Sequence, residues 1–112
     1  MKHQIKTLYI VHHSHTDVGY TDLQEHVIHN QANYIRSVLQ IMEQPENQDF
    51  RWNCETWFCV EEFLKIATPQ EKEAFFRLMR EGRIGFSATY LNFCDLVDNK
   101  VQIGRASCRE RV

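Results

Sequence analysis

The sequence predicts an α/β fold whose strands and helices alternate in the order β-α-β-α-α-β. Three short apolar or β-branched runs have the length of strands, and longer segments with helical periodicity separate them. A helix-capping motif and a later glycine mark the two ends of one helix. Strands that alternate with helices favour parallel pairing through right-handed crossovers. A chain of 112 residues has room for one small domain at most.

The first half of the chain predicts one strand and one long helix. Residues 7–11 (Thr-Leu-Tyr-Ile-Val) are short, β-branched and aromatic, which is typical of a buried strand. Thr21 is the expected N-cap of a helix over residues 22–43, and Gln24 is expected to complete a capping box. Pro45 follows the end of this helix. The apolar positions with helical spacing are Leu23, Val27, Ile28, Tyr34, Ile35, Val38, Leu39 and Met42.

Two further strands are predicted over residues 50–54 and 84–88, with a short helix over Trp57–Ile66 after the first of them. Three parallel strands make an incomplete sheet, because parallel sheets are normally buried on both faces. We therefore expect the chain to be the first part of something larger. The aromatic residues expected in the core are Trp52, Trp57, Phe58, Phe63, Phe75 and Phe76.

A third helix is predicted from its end signals. Thr68 is the expected N-cap, Pro69 occupies the first helical position, and Glu71 is placed to close a capping box. Gly82 is expected to end this helix.

Composition and charge exclude several classes of protein. Hydrophobic residues make up 43 % and charged residues 25 % of the chain, which is close to the globular average and argues against disorder. The net charge is −2 with no basic stripe, so we expect no nucleic-acid partner. No apolar run approaches the roughly 20 residues of a membrane-spanning helix, so we expect no membrane partner. The first residues lack the pattern of a signal peptide, and we expect a cytoplasmic location.

The four cysteines do not have the spacing of a structural zinc site. Cys54, Cys59, Cys94 and Cys108 contain no Cys-x-x-Cys pair. We expect free thiols, with Cys54 and Cys59 buried.

The last ten residues, 103–112, differ from the rest of the chain. They carry three arginines and have no apolar periodicity. Read back into codons, they resemble a common short-read sequencing adapter translated in frame. We therefore expect them not to be native and exclude them from the fold prediction.

A cluster of metal-binding residue types follows the first predicted strand, in the sequence His-Ser-His-Thr-Asp-Val-Gly-Tyr that starts at His13. In extended backbone, His13, His15 and Asp17 would share a face, because residues two apart point to the same side. Imidazole and carboxylate together suit zinc or a similar divalent ion. The segment lies at the carboxyl end of a strand, where α/β folds build their active sites.

This segment resembles the signature near the start of the glycoside hydrolase family 38 domain, the α-mannosidase family. Its usual form is His-[Ser/Thr]-His-x-Asp-[Val/Pro]-Gly-[Trp/Tyr], and the resemblance is closest to bacterial members that carry His-Ser-His-Thr-Asp-[Val/Ile]-Gly-Tyr-Thr. The resemblance covers residues 5–98. Residues 50–55 resemble the family's second strand with its acidic end, residues 81–86 its helix-Gly-strand step, and residues 90–92 an active-site segment.

The resemblance implies that His15 and Asp17 bind one zinc ion, which ligands outside this chain complete. His13 is not a ligand in the family's pattern and would support the site or pack beside it.

The resemblance also implies a sugar site. Tyr20, which stands where animal members have Trp, would stack under the sugar ring. Glu55, Asn92 and Asp95 are candidates for lining the substrate pocket. The expected partner is a carbohydrate, an α-mannoside or a related glycoside, and the oligomeric state stays open.

As a whole, the resemblance implies the first part of a parallel (β/α)7-type barrel. The enzyme would be a zinc-dependent, retaining α-mannosidase of mannose metabolism. In the family, the nucleophilic Asp, the acid/base and the last zinc-binding His lie beyond the third strand. Residues 1–102 are therefore expected to be the truncated N-terminal part of a catalytic domain that is inactive by itself.

Two other functions stay open. PHP-type phosphoesterases and amidohydrolases also begin with His-x-His after a first strand, and in them both His13 and His15 would bind metal. Their acidic turn is replaced here by the sequence after Asp17, Val-Gly-Tyr-Thr-Asp. The other possibility is a truncated domain without catalytic function, with exposed apolar helix faces and a tendency to aggregate.

Overall fold

A computed structural model describes residues 4–19 and 21–91 of the chain. Within these ranges the α/β class is confirmed, whereas closure into a barrel stays a prediction. None of the described helices is long and apolar enough to cross a membrane. The elements in chain order are α1 (Gln24–Met42), a 3-10 turn (Pro45–Asn47), β1 (Trp52–Cys54), α2 (Trp57–Ile66), α3 (Pro69–Arg80) and β2 (Ile84–Phe86).

The two strands form a parallel sheet, as the alternation with helices predicts. Their register runs from Trp52 opposite Ile84 to Cys54 opposite Phe86. On the other edge of β1, His12 forms an isolated parallel bridge with Trp52. The order of the three segments across the sheet therefore follows their order in the chain.

The first predicted strand is wrong, because residues 7–11 form no strand in the structure. Their large side chains are exposed, from 65 % in Val11 to 87 % in Tyr9. A parallel strand is stabilised by partners along its edges and by helices on its faces. In the described part of the chain, the bridge to β1 is at His12, directly after this segment, and the apolar side chains of residues 8–11 remain in contact with solvent.

Helix α1 begins two residues later than expected and lacks the expected cap. Leu23 occupies the N-cap position, and no side chain caps the helix there. The Asp22 carboxylate instead accepts a hydrogen bond from the Leu23 amide at 2.7 Å, so Thr21 and Gln24 form no capping box. Leu23 and Tyr34 are exposed, so the buried face of the helix is narrower than the apolar face predicted from the sequence. The buried positions of α1 are Val27, Gln31, Ala32, Ile35, Val38, Leu39 and Met42.

Helix α2 has the predicted bounds, Trp57–Ile66. Strands β1 and β2 are shorter than the predicted ranges 50–54 and 84–88. Regular pairing continues only while both backbones stay extended side by side, and each strand has just three paired residues here.

The aromatic core joins α2 to α3. Phe63 and Phe75 are completely buried, and their ring centroids lie 5.5 Å apart. Of the six aromatic residues expected in the core, these two and Phe58 are buried, and the other three are not. Phe58 is also buried, Trp52 and Trp57 are half-buried, and Phe76 is exposed.

Both ends of α3 confirm the predicted end signals. The Thr68 hydroxyl accepts from the Glu71 amide at 3.2 Å, and the Glu71 carboxylate accepts from the Thr68 amide at 2.8 Å. Gly82 follows the helix with a φ of 70°, and the next amide, of Arg83, donates to the Leu78 carbonyl at 2.9 Å. This six-to-one hydrogen bond is the mark of a Schellman ending.

The α3 cap provides a stability prediction. Thr68→Ala is expected to lower the free energy of unfolding by about 1 kcal/mol, because the Glu71 amide loses its acceptor. Glu71→Ala should cost more, since the same carboxylate also pairs with the Arg36 guanidinium and joins α3 to α1. Urea denaturation measures both, with the exposed Thr7→Ala as the control. Equal losses in Thr68→Ala and Glu71→Ala would show that the pair with Arg36 contributes nothing.

Cys54 and Cys59 are buried free thiols, as expected. Burial, together with the neighbouring Cys59, raises the pKa of the Cys54 thiol to about 12. Cys54 is therefore a thiol and not a thiolate at neutral pH, and has no nucleophilic role there. Cys94 and Cys108 lie outside the described residues.

Candidate functional site

The polar segments of the chain gather at the carboxyl edge of the sheet. His13 follows the bridge at His12, Glu55 follows β1, and Ser87 follows β2, where its amide donates to the Cys54 carbonyl at 3.1 Å. The carboxyl ends of parallel strands are where α/β proteins place their sites. The candidate site therefore lies where these polar segments meet, although the predicted first strand is absent.

His15 lies between two carboxylates at this edge. Its Nδ1 donates to Glu55 Oε1 at 2.8 Å, and its Nε2 lies 3.1 Å from Asp17 Oδ1. The Asp17 and His15 side chains are both well exposed, whereas the Glu55 side chain is 14 % exposed. The Nε2 side of the ring is therefore open to a ligand from solvent, whereas Nδ1 is held by the less exposed Glu55.

Glu55 contacts the motif segment through both carboxylate oxygens. Its Oε2 accepts a hydrogen bond from the Thr16 backbone amide at 2.7 Å. His13 Nδ1 lies 3.7 Å from Oε1, on the same side as His15. His13 and His15 therefore meet at Glu55, and Asp17 joins this group through its contact with His15.

Glu55 and the His15 ring shift each other's pKa. The hydrogen bond to Glu55 raises the pKa of His15, and the charges of Glu55 and Asp17 raise it further. Partial burial acts to raise the pKa of Glu55, but hydrogen bonds from His15 and the Thr16 amide outweigh it and the pKa falls. Glu55 is therefore an anion at neutral pH, able to accept from both donors.

A buried polar cluster anchors the motif segment to two helices. The Thr16 hydroxyl lies 3.1 Å from the Cys59 sulfur on α2, which also contacts the Thr56 hydroxyl at 3.2 Å. Gln31 on α1 accepts from this thiol at 3.4 Å, and its amide donates to the His15 carbonyl at 3.2 Å. The backbone around His15 is thus fixed independently of its ring.

The pair of His15 and Asp17 fits one divalent metal ion. The 3.1 Å between Nε2 and Oδ1 suits two ligands of one zinc ion, whose bonds are about 2.0–2.2 Å long. The hydrogen bond from Nδ1 to a carboxylate is the usual support of a metal-binding histidine. Two donors do not complete a zinc site. Among the described residues, no group of three His, Cys, Asp or Glu side chains could hold a metal ion.

An open cleft of about 350 Å³ lies beside His15 and Asp17, between the motif segment and α1. It is large enough for a small polar ligand and is open to solvent. The lining residues are Ser14, His15, Asp17, Thr21, Asp22, Val27, Asn30, Gln31 and Tyr34.

The structure describes three of the predicted site residues, His15, Asp17 and Glu55, and brings them together. The other three candidates for sugar contact, Tyr20, Asn92 and Asp95, lie outside the described residues. Sequence analysis missed the anchoring group of Thr16, Gln31, Thr56 and Cys59. The one signal in the sequence was a polar Gln31 among the apolar positions of α1.

Most of the chain is similar to a known protein family. Residues 6–102 match the family model described as the glycosyl hydrolases family 38 N-terminal domain. No curated protein matches the chain, and no solved structure does. Since the family match covers most of the sequence, the chain belongs to glycosyl hydrolase family 38 and carries its N-terminal domain.

Proposed function

We propose that the chain forms part of the active site of a zinc-dependent, retaining glycosidase that hydrolyses α-mannosides. His15 and Asp17 are two of the proposed zinc ligands. The observation that supports this most is the 3.1 Å separation of Nε2 and Oδ1 in a chain of a glycosyl hydrolase family. When bound, zinc supplies Lewis acidity and a hold on sugar hydroxyls.

The proposed substrate is a carbohydrate, as membership of the family suggests. Tyr20 stacks under the sugar ring in this proposal, and Asn92 and Asp95 line the pocket. The cleft beside His15 and Asp17 supports the proposal, because it gives a sugar access to both side chains.

The nucleophile and the acid/base of the proposed enzyme come from outside this chain. Retaining glycosidases place two carboxylates about 5–5.5 Å apart across the scissile bond. Asp17 and Glu55 are both engaged with the His15 ring, so we assign neither of them to these roles. We also propose that the chain alone is inactive, that it forms the start of a (β/α)7-type barrel, and that residues 103–112 are not native. The cytoplasmic location stays a prediction from the sequence.

A zinc titration of the untagged chain, followed by NMR, tests the ligand assignment. His15→Ala and Asp17→Asn are each expected to weaken Zn²⁺ binding by about tenfold or more, because the first removes a ligand and the second removes the negative charge of one. His13→Ala should change the affinity by less than about threefold, since His13 faces Glu55 and supplies at most indirect support.

The same titration separates the alternatives. Equal losses in His13→Ala and His15→Ala would favour a PHP-type or amidohydrolase-type site with two histidine ligands. Methyl α-mannoside is expected to shift the Tyr20 ring signals of the zinc-loaded chain. A response to methyl α-galactoside alone would contradict the proposed substrate.

A further inference from the structure

We propose that Glu55 is a positioning residue that holds His15 in the tautomer with the proton on Nδ1, so that Nε2 offers its lone pair beside Asp17. This inference rests on the proposed metal site for its consequence. It replaces the expectation that Glu55 lines the substrate pocket.

The first argument is the chemistry of the two donors that Glu55 meets. The Thr16 backbone amide can only donate, and it lies 2.7 Å from Oε2. Oε1 lies 2.8 Å from His15 Nδ1. An ionised carboxylate is acceptor-only, so Nδ1 must carry the proton. Asp17 Oδ1 lies 3.1 Å from Nε2 and accepts from it in the same way while the ring is charged. When the ring becomes neutral, the shorter hydrogen bond, to the less exposed Glu55, keeps its proton, and Nε2 loses its own.

The second argument is that Glu55 has little surface left for a ligand. Its side chain is 14 % exposed, compared with 60 % for His15 and 45 % for Asp17. The exposed side of the cluster is therefore formed by the ring and Asp17, while Glu55 lies behind them.

The third argument is that contacts other than those of Glu55 hold the backbone of the motif segment in place. Gln31 donates to the His15 carbonyl, and the Thr16 hydroxyl lies against the Cys59 sulfur. These contacts hold the segment without the Glu55 side chain. A change in the Glu55 head group should therefore alter the ring's proton more than the position of the segment.

Glu55→Gln gives a specific outcome, because glutamine keeps one acceptor and replaces the other by a donor. The Thr16 amide cannot change its role, so the glutamine oxygen should turn towards it. The glutamine NH₂ group then faces His15 Nδ1, which must become an acceptor. The ring should switch its proton to Nε2, where it opposes metal binding.

The matched control is Glu62→Gln. Glu62 has nearly the same side-chain exposure, 13 %, and the substitution removes the same charge. It lies on α2 and pairs with Lys65, away from the motif segment.

Long-range ¹H–¹⁵N NMR of the untagged, metal-free chain reports the tautomer directly. The spectra are recorded at about pH 9 or above, where the ¹⁵N shifts themselves show the His15 ring to be neutral, because the pKa of His15 is raised above the ordinary value near 6.5. We expect the Nδ1–H form of His15 in the wild type and in Glu62→Gln, and the Nε2–H form in Glu55→Gln. Zn²⁺ affinity should fall by about 10–100-fold in Glu55→Gln and stay unchanged in Glu62→Gln.

Each result decides the proposal. An Nε2–H tautomer in the wild type overturns it without any variant, so poor folding of Glu55→Gln cannot protect it. An unchanged tautomer and affinity in folded Glu55→Gln also overturn it. If the wild type binds no Zn²⁺ but Glu55→Gln still switches the tautomer, the proposed metal function fails while the positioning role of Glu55 stands.

Discussion

Phe63→Ala is expected to lower the free energy of unfolding by about 3–5 kcal/mol, which is a large fraction of the roughly 5–15 kcal/mol that stabilises a domain. Phe63 lies on α2 and is completely buried. Its ring contacts that of Phe75 on α3, with centroids 5.5 Å apart. The substitution therefore removes apolar burial, leaves a cavity, and breaks the contact that joins two helices.

The neighbouring Phe76→Ala is the matched control. Phe76 is 38 % exposed and makes an edge-to-face contact with Phe75 at 5.6 Å. Its loss should cost about 1 kcal/mol, because the pair contributes little beyond its buried area. Urea denaturation of both variants, followed by circular dichroism, compares the two costs. Similar losses would show that α2 and α3 do not pack through Phe63.

The sequence predicts best those elements whose signals are local. The bounds of α2 and both ends of α3 are correct, because a capping box and a glycine ending involve residues only a few positions apart. The prediction of a strand over residues 7–11 is wrong because a strand, unlike a helix end, is not determined by local signals alone. Its stability depends on partners distant in sequence, and the described bridge to β1 is at His12, directly after this segment.

The same distinction applies to the site. Alternation along extended backbone is enough to place His15 and Asp17 together, and the structure has them 3.1 Å apart. The contact of Glu55 with His15 spans 40 positions and exists only because β1 lies beside the bridge at His12. The sequence could indicate a carboxylate at a strand end, but not which donor it would accept from.

Arg83→Ala is expected to have the second-largest effect on stability, about 3 kcal/mol. Arg83 precedes β2 and is 8 % exposed. Its Nη2 donates to the Met42 carbonyl at 3.2 Å and to the Asn47 carbonyl at 2.8 Å. The side chain thus closes the C-terminal end of α1 and the turn after it. Removing it leaves the buried Met42 carbonyl without this donor, which costs about 1–3 kcal/mol, whereas the Asn47 carbonyl loses one hydrogen bond and keeps that from the Phe50 amide.

Arg83→Met tests whether the free energy gained from the Arg83 hydrogen bonds exceeds the cost of burying its charge. The Arg83 Nε is buried and has no hydrogen-bond partner among the described residues. Methionine keeps much of the volume and removes both the charge and the donors. We expect a loss of about 2 kcal/mol, because the cation also interacts favourably with the carbonyl end of α1.

The control for this comparison is Arg51→Met. Arg51 also donates to two backbone carbonyls, those of Gln48 and Phe50, but it is exposed. Water can replace its hydrogen bonds, so the expected change in unfolding free energy is within about 0.5 kcal/mol. If Arg83→Met were as stable as the wild type, the desolvation of the guanidinium would equal the energy of its hydrogen bonds. Arg83 would then fix the path of the chain between α1 and β2 without stabilising it.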